Sequence, residues 1–192
     1  MKVSSRTKLL AGASLLTALT FTPVAYAEDA SVSVRKMADA IFSVIEADRA
    51  VYTQKVVHRL QNEEEVITAE EKWKEESALP LPAQMLRMGA ERVAEKRSGF
   101  TYALLSSWAI NKQNSPKTDL EKKALKTIEQ SKQNFYGVET LGKKKYYTAV
   151  YPDIAVSKAC VDCHNDHLDS PRKDFKIGET MGGLVIRIPL DE

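Results

Sequence analysis

The two cysteines of this chain stand three residues apart, and a histidine follows the second: Cys160-Val161-Asp162-Cys163-His164. There is no other cysteine, and the only other histidines are His58 and His167. No disulfide can tie distant segments together, so any core must hold by packing alone. The chain has 192 residues, enough to bury one such core.

CxxCH admits three chemistries. Cys160, Cys163, His164 and His167 form a Cys₂His₂ zinc set on paper. Structural zinc, however, draws its ligand pairs from separate segments and ties them together, and four ligands within eight residues would tie almost nothing. A redox CxxC belongs near a βαβ unit; this one lies near the C-terminus, after a hairpin signal. The third reading is c-type haem attachment. Two thiols at this spacing reach the two vinyl groups of one porphyrin, and the adjacent His reaches the iron. The expectation is one covalent haem c on Cys160 and Cys163, with His164 as the proximal iron ligand.

The N-terminus agrees with attachment after export. Lys2, Arg6 and Lys8 precede the uncharged apolar run Leu9 to Phe21, and Ala25-Tyr26-Ala27 supplies a small-residue cleavage site. Residues 1–27 read as a cleaved signal peptide. The alternative is a retained anchor, for which the run is short against the ~20 residues of a bilayer span. The expected location is the periplasm. The chain carries 28 Lys+Arg and 26 Asp+Glu. Residues 1–27 hold three of the basic residues and no acidic one, which leaves 25 against 26 beyond the leader. The apparent basicity belongs to the leader, and nothing argues for nucleic acid.

Residues 28–192 read as a single α+β domain. Apolar residues at three- and four-residue steps predict one helix over Val34 to Leu60. Asn62 to Ser77 reads as a solvated connection. Pro82 starts a second helix running to about Arg97, with Met85, Leu86, Met88 and Val93 inward. Phe100 to Ile110 reads as a strand. Thr118 or Asp119 caps a helix to about Asn134. Tyr136 to Leu141 and Lys145 to Val150 flank Gly142-Lys143 as a hairpin closed by Tyr151-Pro152. A short helix over Val156 to His164 carries the CxxCH, and Leu184 to Ile188 is a closing strand. Helices first and hairpins later argue for an antiparallel sheet.

The sixth iron position separates functions: Met suits electron transfer, His lowers the potential, and an open site binds gases. The candidates are His58, His167, Met37, Met85, Met88 and Met181. His167 follows His164 too closely to cross the porphyrin. The methionines also fit helix stripes as core. His58 continues the seven-residue steps of Val44 and Val51, and reads either as the distal ligand or as an ordinary helix-face histidine.

Leu81-Pro82-Ala83, Gly99-Phe100-Thr101-Tyr102 with Leu105-Ser106, Asn111 to Pro116, Tyr151-Pro152, the CxxCH, and Lys176-Ile177-Gly178-Glu179 before Gly182-Gly183 together resemble a bacterial family of c-type haem domains. That family was formerly a domain of unknown function. The resemblance implies a PAS-like antiparallel sheet with a long N-terminal helix and further flanking helices. It also implies that His164 is proximal, with a variable distal ligand that can come from the long helix. Some relatives place a Cys there, and this chain has none to spare. Members occur as free periplasmic proteins and as sensing parts of signalling proteins; this sequence lacks the kinase or chemoreceptor portions.

The expected function is one-electron transfer by a periplasmic monohaem c-type cytochrome. The alternative is a haem-based sensor or binder of NO, CO, oxygen or redox state. No base or nucleophile constellation marks an enzyme. A periplasmic redox or signalling partner is expected without a name, and no membrane span is expected once the leader is cleaved. Lys143, Lys144 and Lys145 read either as a docking patch or, more simply, as a solvated turn.

Overall fold

The 3.6-residue periodicity of the N-terminal segment matures into one long helix. The computed structural model describes residues 32–190. The leader expected over residues 1–27 lies outside the described residues. Helix α1 spans Val34–Val51, and the Ser33 hydroxyl accepts from the Lys36 N–H at 3.3 Å as its cap. The chain then runs on without a break as a wider π-helical segment, Tyr52–Glu63. The Glu64 N–H reaches back five residues to the Arg59 carbonyl at 2.9 Å.

Four strands form one antiparallel sheet in the order β3-β6-β5-β4: β3 is Thr101–Leu105, β4 Phe135–Leu141, β5 Lys144–Ile154 and β6 Thr180–Pro189. Two short strands, β1 (Ala69–Glu70) and β2 (Leu79–Pro80), pair in parallel within the connection after the long helix. Gly142, at φ 63°, turns the β4-β5 hairpin where the sequence expects it. The α+β class with a long N-terminal helix is as expected.

The sheet is covered on both sides. On one face, Ala38, Ile41, Phe42 and Ile45 of α1 meet Tyr151, Leu184 and Ile186. The Phe42 ring lies flat on Tyr151, with centroids 4.0 Å apart. On the other face, α3 (Asp119–Ser131) sets Ala124, Leu125 and Ile128 against Leu105, Val150 and Val185. Thr118 and Glu121 cap α3 reciprocally: the Glu121 N–H donates to the Thr118 hydroxyl at 3.1 Å, and the Thr118 N–H to the Glu121 carboxylate at 2.8 Å. Helix α2 (Pro82–Glu95) begins with its proline in the first turn and buries Leu86 in the α1 layer.

Four expectations are corrected. The strand expected over Phe100 to Ile110 ends at Leu105. The Ser106 hydroxyl donates to the Met181 carbonyl at 2.6 Å and accepts the Trp108 N–H at 3.0 Å, which turns the chain off the sheet. Met88 points outward, 37% exposed, because Leu86 rather than Met88 faces the sheet layer. Helix α3 stops at Ser131, where Lys132 turns left-handed at φ 56°. Strand β5 runs through Tyr151-Pro152 to Ile154 instead of closing there. Pairing with β4 ends at Val150, so Pro152 lies where one strand edge is open and a missing N–H is tolerated.

One buried ion network locks the α3 face. The Arg187 guanidinium on β6 contacts Glu121 of α3 and, at 2.8 Å, Glu139 of β4. Burial pushes the Glu139 carboxyl up, but hydrogen bonds from Arg187 and Thr148 outweigh it and hold the group below the usual range. Arg187→Ala would leave two carboxylates buried without their cation, a loss worth about 3–5 kcal/mol. A urea denaturation curve should show that loss, while Arg92→Ala, which breaks the exposed Arg92–Glu95 pair, should leave the midpoint nearly unmoved.

Candidate functional site

The sheet opens at one end. Strand β3 leaves it at Ser106, β5 shifts register between Asp153 and Ile154, and β6 enters with Met181 and Gly182. Helix α4 (Lys158–Asp166) lies beside that opening and carries the CxxCH. The cleft between them holds about 1320 Å³ of space, including the part open to solvent. Its walls come from α4, the α1 end with the π-helical segment, the start of α2, and the loop after β3.

Helical spacing explains why the motif faces the cleft. Residues three and four apart share a helix face, so Cys160, Cys163 and His164 form one patch, and all three line the cleft. Both cysteines are free thiols. Cys160 is half-buried against the cluster of Ala155, Phe175 and Met181, and the Ser157 hydroxyl lies 3.5 Å from its sulfur. Cys163 is the more exposed of the two, and desolvation, then Glu71, push its thiol above the ordinary range.

His164 is half-buried. Burial, and then the Arg49 cation, hold its imidazole below the ordinary histidine range, which keeps it neutral at pH 7. Its Nδ1 is buried without a protein hydrogen-bond partner. A neutral imidazole is the form that ligates metals, through the ring nitrogen that carries no proton. Among the described residues, no three His, Cys, Asp or Glu side chains converge in a way that could hold a metal ion.

The other candidates separate clearly. His167 lines the cleft, but both of its nitrogens are engaged: Nε2 lies 3.4 Å from Glu71, and Nδ1 accepts the Asp169 N–H at 3.1 Å. Met181 is 6% exposed and also lines the cleft, beside Cys160. Met37, Met85 and Met88 are not among its lining residues. His58 is not among them either; its neighbours Thr53, Val57 and Gln61 line the wall instead. The His58 ring is half-buried, with Nε2 3.6 Å from Glu63 and Nδ1 buried without a partner.

Sequence reasoning missed the fixed charge of this cleft. Arg49, at the end of α1, grips Asp153 of β5 with both terminal nitrogens. Burial works to raise the Asp153 carboxyl, and the guanidinium opposes it. The partners lie 104 residues apart and carry no local signal. Gly182 was legible in part, as half of a Gly-Gly doublet. A Cβ there would come 2.5 Å from the Leu105 carbonyl oxygen, so β3 and β6 can close at the cleft floor only over a glycine.

A family model described as Tll0287-like matches residues 27–189. The fold is similar to the crystal structure of the cyanobacterial heme-protein Tll0287. That likeness has a TM-score of 0.54 and 15% identity, and covers 84% of this chain and 99% of the other. No curated protein matches the chain.

The close approach at Gly182 yields a test. Gly182→Ala should force β3 away from β6 and cost about 1–3 kcal/mol in chemical denaturation, the usual toll of overpacking. An unchanged midpoint would contradict the contact.

Proposed function

This chain belongs to the Tll0287-like family, and from that premise we propose that it is an exported haem protein with one haem held covalently in the cleft. Cys160 and Cys163 would carry the two thioether bonds, and His164 would be the proximal iron ligand. A single observation carries the reading: all three side chains share one face of α4, turned into one cleft, and the imidazole among them is neutral. The walls suit a porphyrin, since Val57, Leu81, Leu104, Ala109 and Met181 supply apolar surface. The similar cyanobacterial structure is itself that of a haem protein, which supports the same reading. A haem bound there supplies one-electron Fe(III)/Fe(II) exchange.

The chain's own residues then have separable tasks. The two thiols fix position. His164 presents a lone pair without first having to lose a proton. The Arg49–Asp153 pair keeps a cation near that ring, which disfavours its protonation, without leaving either charge unpaired. The protein would act in the periplasm as an electron carrier for a redox partner, with no reaction of its own to catalyse.

One observation favours the second reading, a sensor or binder of a small ligand such as NO or CO. The helical wall of the cleft offers Thr53, Val57 and Gln61, none of them a strong iron ligand. His58 would reach the iron only by giving up its place beside Glu63. The π-helical backbone that carries it is a form common at functional sites.

Two measurements decide these points. Cys160→Ser and Cys163→Ser should each leave one thioether, seen as a shifted pyridine haemochrome band, and the double variant should lose covalent haem by intact mass. An unchanged haemochrome in either single variant would sink the attachment. Rapid, complete CO binding by the reduced protein would favour the binder. A low-spin spectrum that His58→Ala converts to high-spin would instead assign His58 to the sixth position and favour the carrier.

A further inference from the structure

A metal-bound imidazole almost always donates its second ring N–H to a carbonyl, carboxylate or water, and that bond fixes the ring's rotation. His164 Nδ1 finds no such partner in the protein. An aromatic edge stands beside the ring instead. Phe175, 2% exposed, has its centroid 5.8 Å from that of His164, with the planes 88° apart. Perpendicular contact of this kind is a preferred aromatic geometry.

Phe175 belongs to the loop beyond α4 and is pinned by the residue next to the ligand. The Asn165 side chain accepts the Phe175 N–H at 2.9 Å and donates to the Phe175 carbonyl at 3.0 Å. This two-point clamp returns the loop to the helix directly at His164. Trp108 meets Phe175 edge-on at 5.6 Å. The Arg172 guanidinium covers both rings, 4.3 Å from the Phe175 centroid and 4.8 Å from that of Trp108, and is fixed by Asp174 and Glu179 at 2.7 and 2.8 Å.

We propose that Asn165 and Phe175 are positioning residues that set the rotation of the His164 imidazole about its bond to the iron, taking the place of the hydrogen bond Nδ1 does not make. The proposal rests on the haem reading above. The plane of an axial imidazole relative to the porphyrin nitrogens governs how the iron d orbitals split. The ferric EPR signal therefore reports it directly, and a role in packing alone would not move that signal.

The test uses the full holoprotein and three variants: Asn165→Ala, Phe175→Leu and the milder Asn165→Asp. Aspartate still accepts the Phe175 N–H but cannot donate to its carbonyl. Haem content is read by pyridine haemochrome, and ring rotation by the g values of the ferric protein. The expected result is unchanged covalent haem, with shifted and broadened g values in the alanine and leucine variants and a smaller shift in the aspartate variant. Should the first two fail to fold, Asn165→Asp carries the test by itself. Wild-type g values in every folded variant, with haem attached, would overturn this proposal and leave the haem reading standing. An unmutated protein without covalent haem would overturn both.

Discussion

Strand β6 has no solvent face, and the cleft exists because of that. A strand covered on both sides must let two layers approach at once. Leu184, Ile186 and Ile188 do so toward α1, and Val185 toward α3. Gly183 makes room where α3 comes closest, since a Cβ there would meet Ile128 at 2.7 Å and Val150 at 2.8 Å. The same economy of side chain continues one residue earlier at Gly182, beneath β3. At this end β3 turns away and β5 slips its register, so the two layers diverge around a strand too slender to fill the gap. Helix α4 lies beside that gap with its cysteines and histidine turned inward.

Buried charge follows one rule on both faces of the sheet. A charge taken out of water is tolerated only when paired and hydrogen-bonded. Arg187 holds two carboxylates on the α3 face, and Arg49 holds Asp153 at the cleft. The second pair also acts on the site, because a fixed cation beside a half-buried imidazole disfavours its protonation. Asp153 ensures that the cation does not move to satisfy itself elsewhere. The pair thus fastens α1 to β5 and, in the same contact, helps keep the His164 imidazole neutral.

What could be read from the chain, and what could not, divides by range. The long helix, a cap at Thr118 and the Gly142 turn rest on neighbours within a few residues, and these were legible. So was the CxxCH, whose helical spacing already places its three side chains on one face. Several of the misread features depend on distant partners. Nothing near Ser106 announces that its hydroxyl will meet Met181, 75 residues on, and end β3. Pro152 reads locally as a stop, yet β6 keeps pairing past it. Arg49–Asp153 has no local trace. The Asn165 clamp spans only ten residues, but an asparagine in a polar loop looks like any other until its two-point geometry is seen.

The two sides of the cleft are built to different tolerances. On the α4 side each group is over-determined: Asn165 holds Phe175, Phe175 stands against His164, and Arg172 closes the stack under two carboxylates. The facing wall is a helix whose backbone has left the regular α pattern. Its single histidine is bound only by a 3.6 Å contact to a largely exposed Glu63. An exposed contact of that kind is worth little, so displacing it is cheap compared with moving anything around His164. If a haem sits in the cleft, a fold divided in this way would keep the α4 side constant while the opposite wall offered one group or none. On the haem reading proposed above, the choice between carrier and binder would then rest with the few residues of the π-helical segment, with the rest of the molecule unchanged.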